Sequence, residues 1–249
     1  RHAVPATLIT MLLFAALIIP IRGGTGVAVL NSGSVYFSDK LFPNHAAVNI
    51  IWNFGHTAAY RKPSVNPYLF HEKEKAVSDL EMLTSDQGPV RKVLKNERPN
   101  ILLVILESFG SYLVENQPAD TVVTPRFNEL KKEGIYFSNI YAAGSRTDKA
   151  IPAIISGYPN LPTIQVIRDN RRVRNLPSIA KSLNSAGYGS SFWYGGDINF
   201  ASMNSFILTT GFGETITKFN FDPENYNSKW GVHDNVLLEM LYDSLNTAG

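Results

Sequence analysis

The feature that most constrains the fold is an alternation of apolar runs and amphipathic segments that starts near residue 100. The run NILLVILES, residues 100–108, has strand length and is typical of a strand buried on both faces of a parallel sheet. The same patterns predict further strands at 135–142, 189–196 and 214–221, and helices at 124–134, 147–157, 176–188, 199–211 and 233–245. Strands that alternate with helices predict an α/β domain with a mainly parallel sheet flanked by helices.

An uncharged run occupies residues 3–21 and ends at Arg22. Its residues would span roughly 28 Å as a helix, close to the hydrocarbon thickness of a bilayer. A transmembrane helix is therefore predicted, and a signal-peptide core and a buried helix are the alternatives. Arg1 and Arg22 flank both ends, so the local charges do not set an orientation.

The composition excludes several classes of function. The net charge is only +2, which implies no nucleic-acid partner. The chain contains no cysteine, which excludes disulfides, thiolate metal sites and a cysteine nucleophile. Hydrophobic residues make up 44% of the chain and charged residues 18%, a balance that allows a sizeable core.

Glu107 follows seven residues of the first apolar run. In open parallel sheets, ligands gather beyond the carboxyl ends of the strands. A buried carboxylate at such a position needs a cation as its partner. Glu107 is therefore a candidate metal ligand, and the alternative is a loop glutamate paired with a lysine.

Thr147 lies where a loop gives way to a predicted helix, after the second apolar run. The hydroxyl could cap the helix. It could also be a nucleophile, because a helix start favours an anion. Arg146 and Lys149 flank it, and both cations could hold a phosphate group.

Taken together, these features resemble the opening of the alkaline phosphatase and sulfatase superfamily, over roughly residues 98–240. The motifs are RPNILLVILESFG, TPRFNELKKEGIYFSNIYAAGSRT, IISGYP, LPSIAKSLNSAGY, WYGGD and KWGVHD. The sequence looks most like the lipoteichoic acid synthase branch, whose members carry several membrane helices before an extracytoplasmic domain. The resemblance implies a last transmembrane helix at 1–22, an extracytoplasmic linker at 23–98 and the N-terminal part of a catalytic domain at 99–249.

The position of Thr147 separates two chemistries within this superfamily. Sulfatases place a cysteine or serine ten residues before the glycine that ends this helix, and here Thr147 stands ten residues before Gly157. Lys149 and Ile151 occupy the places of the proline and arginine that follow in sulfatases. Threonine cannot become the formylglycine that sulfatases use, so the resemblance favours phosphoryl transfer.

The resemblance also implies a site and a substrate. Glu107 and Thr147 would hold a divalent metal, Mn²⁺ in this branch with Mg²⁺ or Zn²⁺ as alternatives, and Thr147 would become a phospho-ester. Arg146, Lys149, Tyr194 and Asp197 would bind the substrate, which is phosphatidylglycerol or another phosphodiester. The enzyme would sit in a bacterial-type cell membrane with its catalytic domain outside the cytoplasm.

Several departures from the branch leave the function open. Tyr194 stands where a histidine is expected, and Ala201 and Met203 replace a tryptophan and an arginine. The Asp–His metal pair of the branch is expected beyond residue 249. A sulfatase-like or phosphodiesterase-like hydrolase and a non-catalytic binding domain are the alternative functions.

Overall fold

The computed structural model describes residues 3–59, 69–85, 88–89, 92–115 and 121–247, so residues 1–2, 60–68, 86–87, 90–91, 116–120 and 248–249 of the predicted segments lie outside it. Its helices are α1 (Ala3–Arg22), α2 (Leu41–Ala47), α3 (Ile50–Ala59), α4 (Lys73–Thr84), α5 (Pro125–Glu133), α6 (Thr147–Ser156), α7 (Asn170–Val173), α8 (Ile179–Ser185), α9 (Met203–Thr210) and α10 (Asp234–Thr247). Two strands, β1 (Ser191–Trp193) and β2 (Glu214–Ile216), and six short 3-10 helices complete the regular elements of the described residues. Two compact units are formed, unit 1 by residues 1–54 and 137–249 and unit 2 by residues 55–136.

The predicted α/β class is confirmed in unit 1. Strands β1 and β2 pair in parallel, with Ser191 opposite Glu214 and Trp193 opposite Ile216. The connection between them runs through α9, as expected for a parallel crossover. Each strand falls inside a predicted one and is shorter than it.

The strands predicted at 100–108 and 135–142 are wrong, because neither segment forms a strand. The side chains of residues 101–106 are between 42% and 62% exposed, whereas the prediction required burial on both faces. An apolar run becomes a central strand only when neighbouring strands satisfy its backbone groups. Within the described part of the chain, the only strand ladder is that of β1 and β2.

The core of unit 1 is built around α9. Met203, Phe206 and Ile207 are each at most 1% exposed, and their spacing of three and four places them on one face of the helix. Gly211 ends the helix with a positive φ of 91°, a conformation that favours glycine. The other buried members of this cluster are Ile151, Ile155, Ile167, Val173 and Ile198.

A segment that precedes the predicted catalytic domain packs onto this core. The side-chain amide of Asn204 donates to the carbonyl oxygens of Gly33 and Tyr36, both at 3.0 Å. The side-chain amide of Asn170 donates to the Tyr36 hydroxyl at 2.9 Å. Burial raises the pKa of Tyr36 and outweighs the opposing effect of that hydrogen bond. Residues 33–36 are therefore part of the folded unit.

Residues 4–21 of helix α1 are exposed, with large apolar side chains between 51% and 70% exposed. Residues 4–22 are long and apolar enough to cross a membrane, judged by length and composition. A signal sequence satisfies the same criterion, so α1 is a candidate membrane span.

We expect Asn204→Ala to lower the free energy of unfolding by about 2 kcal/mol, because two half-buried carbonyl groups each lose a hydrogen bond from the asparagine side chain. Asn235→Ala, at an exposed position of α10, is the matched control and should change stability little. Urea denaturation of both variants in the same detergent measures the difference. Equal midpoints for the two variants would show that residues 33–36 are not held by Asn204.

Candidate active site

The carboxyl ends of β1 and β2 lie at the same edge of the sheet, because the two strands are parallel. The ladder continues past β1, where the Tyr194 amide donates to the Ile216 carbonyl at 2.9 Å. The Lys218 amide then donates to the Gly196 carbonyl at 3.3 Å. These bonds hold the loops that follow the two strands, residues 194–199 and 217–220, side by side. This edge is where α/β sheets bind ligands.

An ion pair joins the two loops. The Lys218 ammonium lies 2.8 Å from Oδ2 of Asp197, and the side chains are only 17% and 14% exposed. Oδ1 of Asp197 accepts a hydrogen bond from the backbone amide of Asn199 at 3.0 Å. Both carboxylate oxygens therefore have protein partners, which fix the loop after β1. Lys218 is not among the site residues predicted from the sequence, although its position two residues after β2 is a usable signal.

Tyr194 is half-buried and packs against the core cluster. A Cβ atom on Gly196 would lie 2.7 Å from the tyrosine ring, so glycine leaves the space that the ring occupies. Gly231 has a φ of +146°, and a Cβ there would collide with the Gly195 carbonyl oxygen. The glycines thus allow the close approach of Tyr194 and of the chain near residue 231 to this loop.

Thr147 is the first residue of α6, and Arg146 is the N-cap residue with extended backbone. The helix is fixed by Ile151, Pro152 and Ile155, which are buried. At its other end Gly157 adopts the left-handed conformation with a φ of 63°. The start of α6 is therefore held by the core, and its dipole favours negative charge near Thr147.

The next residue, Asp148, is only 6% exposed. Its Oδ2 lies 3.8 Å from the guanidinium of Arg168. Its Oδ1 is buried without a hydrogen-bond partner among the residues that the structure describes. Burial of a carboxylate is costly without a cation, so this pair holds Arg168 beside the first turn of α6. No pattern in the sequence predicts this contact.

The two cations predicted to bind substrate differ in their surroundings. Lys149 donates from Nζ to the Pro162 carbonyl at 3.1 Å, which leaves two of its three ammonium protons for a ligand. Arg146 is exposed at the N-cap position of α6. Both lie in unit 1 together with Thr147, Tyr194 and Asp197.

Comparison with known proteins identifies the family. A family model described as Sulfatase matches residues 99–249, which is more than half of the chain. The chain belongs to the sulfatase family. The match begins at the first residue of the predicted catalytic domain.

The names of the related proteins describe two kinds of activity. An ulvan-active sulfatase of Formosa agariphila is 31% identical over 118 residues, covering 42% of this chain and 20% of the relative. Phosphoglycerol transferase I of Salmonella arizonae is 25% identical over 160 residues, covering 59% of this chain and 20% of the relative. The chain thus spans about a fifth of the length of these curated relatives. The predicted superfamily and its lipoteichoic acid synthase-like branch are confirmed by these matches.

A solved structure is also similar, a crystal structure of a protein in the alkaline phosphatase superfamily from Vibrio parahaemolyticus. It is 30% identical, with a TM-score of 0.46, over 49% of this chain and 30% of that chain.

Members of the sulfatase family generally depend on a divalent metal ion. Glu107 lies in a turn of unit 2, where its side chain is exposed. Glu107 and Thr147 offer a carboxylate and a hydroxyl, the oxygen donors that Mn²⁺ and Mg²⁺ prefer. No group of three or more His, Asp or Glu side chains converges within the described ranges. Since the two residues belong to different units, their shared cation remains a prediction.

We expect Asp197→Asn and Lys218→Met each to lower the free energy of unfolding by about 2 kcal/mol, since each leaves a mostly buried charge unpaired. The double variant should lose less than the sum, with a coupling energy on the order of 1 kcal/mol. Chemical denaturation of the four proteins measures this cycle. Strict additivity would mean that the ion pair does not hold the loops together.

Proposed function

We propose that this chain is part of a membrane-anchored, metal-dependent phosphotransferase in which Thr147 attacks a phosphodiester. The observation that carries the proposal is the position of Thr147 at the start of a helix fixed by the core, in a chain of the sulfatase family without any cysteine. A hydroxyl at this point can receive the phosphoryl group while the helix dipole stabilises the added charge.

The reaction proceeds by two displacements at phosphorus. In the first, a bond forms between Oγ of Thr147 and phosphorus, the bond to the leaving alkoxide breaks, and the hydroxyl proton passes to solvent or to the leaving alcohol. In the second, the oxygen of an acceptor alcohol bonds to the same phosphorus, the bond between phosphorus and Oγ of Thr147 breaks, and the proton of the alcohol returns to Oγ directly or through solvent. Charge builds on the phosphoryl oxygens in both steps.

Three cations near the start of α6 support this chemistry. Arg146 at the N-cap position and Lys149 in the first turn supply positive charge, and Arg168 is drawn to the same turn by buried Asp148. A guanidinium can bind two phosphoryl oxygens at once, so Arg168 suits a phosphodiester with two unesterified oxygens.

A metal ion would be held by Glu107 and the Thr147 oxygen. When bound, a divalent ion lowers the cost of ionising a hydroxyl and neutralises charge on a phosphoryl group. Mn²⁺ is the proposed ion, because its preference for oxygen donors matches a carboxylate and a hydroxyl.

The substrate is proposed to be a phospholipid, with phosphatidylglycerol as the first candidate. The similarity to phosphoglycerol transferases and the apolar helix α1 both support this choice. On this account α1 spans the cell membrane, and the catalytic residues lie on its extracytoplasmic side, where the phospholipid head group is reached.

A hydrolase is the second candidate, and its support is the 31% identity to an ulvan-active sulfatase. In that case water takes the place of the acceptor alcohol in the second displacement. Thr147 counts against a sulfate ester as substrate, because it cannot form the aldehyde that sulfatases use. The two outcomes differ in the acceptor and share the covalent step on Thr147.

The decisive experiment incubates the full-length protein with Mn²⁺ and head-group-labelled phosphatidylglycerol, then locates the covalent adduct by mass spectrometry. Trypsin would cut on both sides of Thr147, at Arg146 and Lys149, so chymotrypsin is the better protease. Its cleavage after the aromatic residues Tyr141 and Tyr188, with Tyr158 protected by the proline that follows it, yields residues 142–188 as one peptide. We expect a glycerophosphate adduct on Thr147.

Two variants make this result specific. Thr147→Ala should lose the adduct and turnover, and its stability should change by about 1 kcal/mol or less, because the N-cap position is Arg146. Ser145→Ala, two residues earlier in the same peptide, should keep both. An adduct that persists in Thr147→Ala, or full turnover by that variant, would remove Thr147 from the mechanism.

A further inference from the structure

Helix α3 has two sharply separated faces. At 100° per residue, its polar side chains and the residue before it fall within an arc of about 100°. That polar arc contains Asn49, Asn53, His56 and Thr57, and the rest of the circumference contains Ile50, Ile51, Trp52, Phe54, Gly55, Ala58 and Ala59. Ile50 and Trp52 lie at the two borders between the arcs. Such a helix is built to lie between an apolar and an aqueous medium.

The apolar arc of α3 is open. Ile50 is 84% exposed, Ile51 83% and Phe54 77%. The helix is nevertheless well formed at its start, where the Asn49 side chain accepts a hydrogen bond from the Trp52 amide at 3.0 Å. Three large apolar side chains exposed on one turn indicate an interaction surface.

The absence of charged residues around α3 indicates what kind of surface the helix contacts. Residues 41–59 contain no Asp, Glu, Lys or Arg. Protein interfaces usually carry a polar, partly charged rim around an apolar centre. A surface without any formal charge but with isoleucine, phenylalanine and a bordering tryptophan matches the lipid–water boundary, where tryptophan is enriched.

Helix α1, which would enter the bilayer, is followed by a loop that is hydrogen-bonded within unit 1. At the end of α1, the Leu30 amide donates to the Arg22 carbonyl at 2.8 Å, which closes the loop between them. The next residue, Asn31, donates from its side chain to the Asn199 carbonyl at 2.9 Å. The end of α1 is thus joined through a short hydrogen-bonded loop to the residues that follow β1. Unit 1 also contains the first turn of α3.

We propose that α3 is an interfacial helix that lies flat on the lipid surface, with Ile50, Ile51 and Phe54 among the acyl chains. The proposal rests on the membrane placement of α1 in the proposed function. Because the helix has no formal charge, its contact with the membrane comes from burial of apolar area. It therefore needs neither anionic lipid nor low ionic strength.

Residues 1–249 contain no cysteine, so single labelled cysteines can test the proposal directly once any cysteine elsewhere in the full-length protein has been replaced by serine. Single cysteines are introduced by Ile51→Cys and Phe54→Cys on the apolar arc, and by Asn53→Cys on the polar arc as the matched control. Asn235→Cys, exposed on α10, serves as a reference for water. Each full-length protein carries a nitroxide label and is reconstituted in phosphatidylcholine vesicles. Electron paramagnetic resonance then measures collisions with oxygen, which dissolves in acyl chains, and with a nickel chelate, which stays in water.

We expect the ratio of oxygen to nickel collisions to be several-fold higher at positions 51 and 54 than at 53 and 235. The ratio should be unchanged when the salt concentration is raised. Equal nickel access at 51, 53 and 54 would overturn the proposal in favour of a solvated helix. Immobilised labels at 51 and 54 with low access to both reagents would overturn it in favour of a protein partner, such as a second copy of this chain.

The membrane placement of α1 is tested separately in the same vesicles. Retention of the protein after an alkaline carbonate wash supports a spanning α1, and its release contradicts that part of the proposed function. The collision ratios, measured before the wash, report on α3 in either case.

Discussion

The burial of one face of α6 is the interaction on which the site depends. Ile151 and Ile155 are 6% and 3% exposed and pack with the residues of α9 and of the segment around Ile167. An apolar side chain of this size contributes about 1.5–3 kcal/mol when it is fully buried. These residues lie one and two turns into the helix. Their burial therefore fixes the orientation of the first turn, which contains Thr147. A reactive hydroxyl on an unanchored loop would lack this orientation.

The short sheet of unit 1 has a comparable role. Only three residues of each strand pair, yet their parallel direction brings two loops to one edge. The ion pair between Asp197 and Lys218 then holds these loops together. Its low exposure makes each charge depend on the other, so the loop after β1 keeps one conformation. The Asn31 contact with Asn199 adds a link from this loop to the end of α1.

Local signals in the sequence predicted most of the helices and the order of the two strands that form. The start of α6 could be placed because a threonine precedes an apolar periodic segment that ends in glycine. The strands predicted at 100–108 and 135–142 could not be judged in this way, since strand formation depends on partners distant in sequence. For the same reason the spacing of residues gave no indication that Lys218 meets Asp197 or that Arg168 meets Asp148. The packing of residues 33–36 on α9 could not be predicted from the sequence either, because it depends on hydrogen bonds from the Asn204 side chain to backbone carbonyl groups.

The central claim is that Thr147 and Glu107 share a metal ion, and anomalous diffraction at the manganese absorption edge tests it most directly. Crystals of the full-length protein grown with Mn²⁺ should show a peak within about 2.5 Å of both the Thr147 hydroxyl oxygen and the Glu107 carboxylate. The peak should weaken or vanish in crystals of Glu107→Gln. A strong manganese peak on other ligands, with these two side chains apart, would contradict the account.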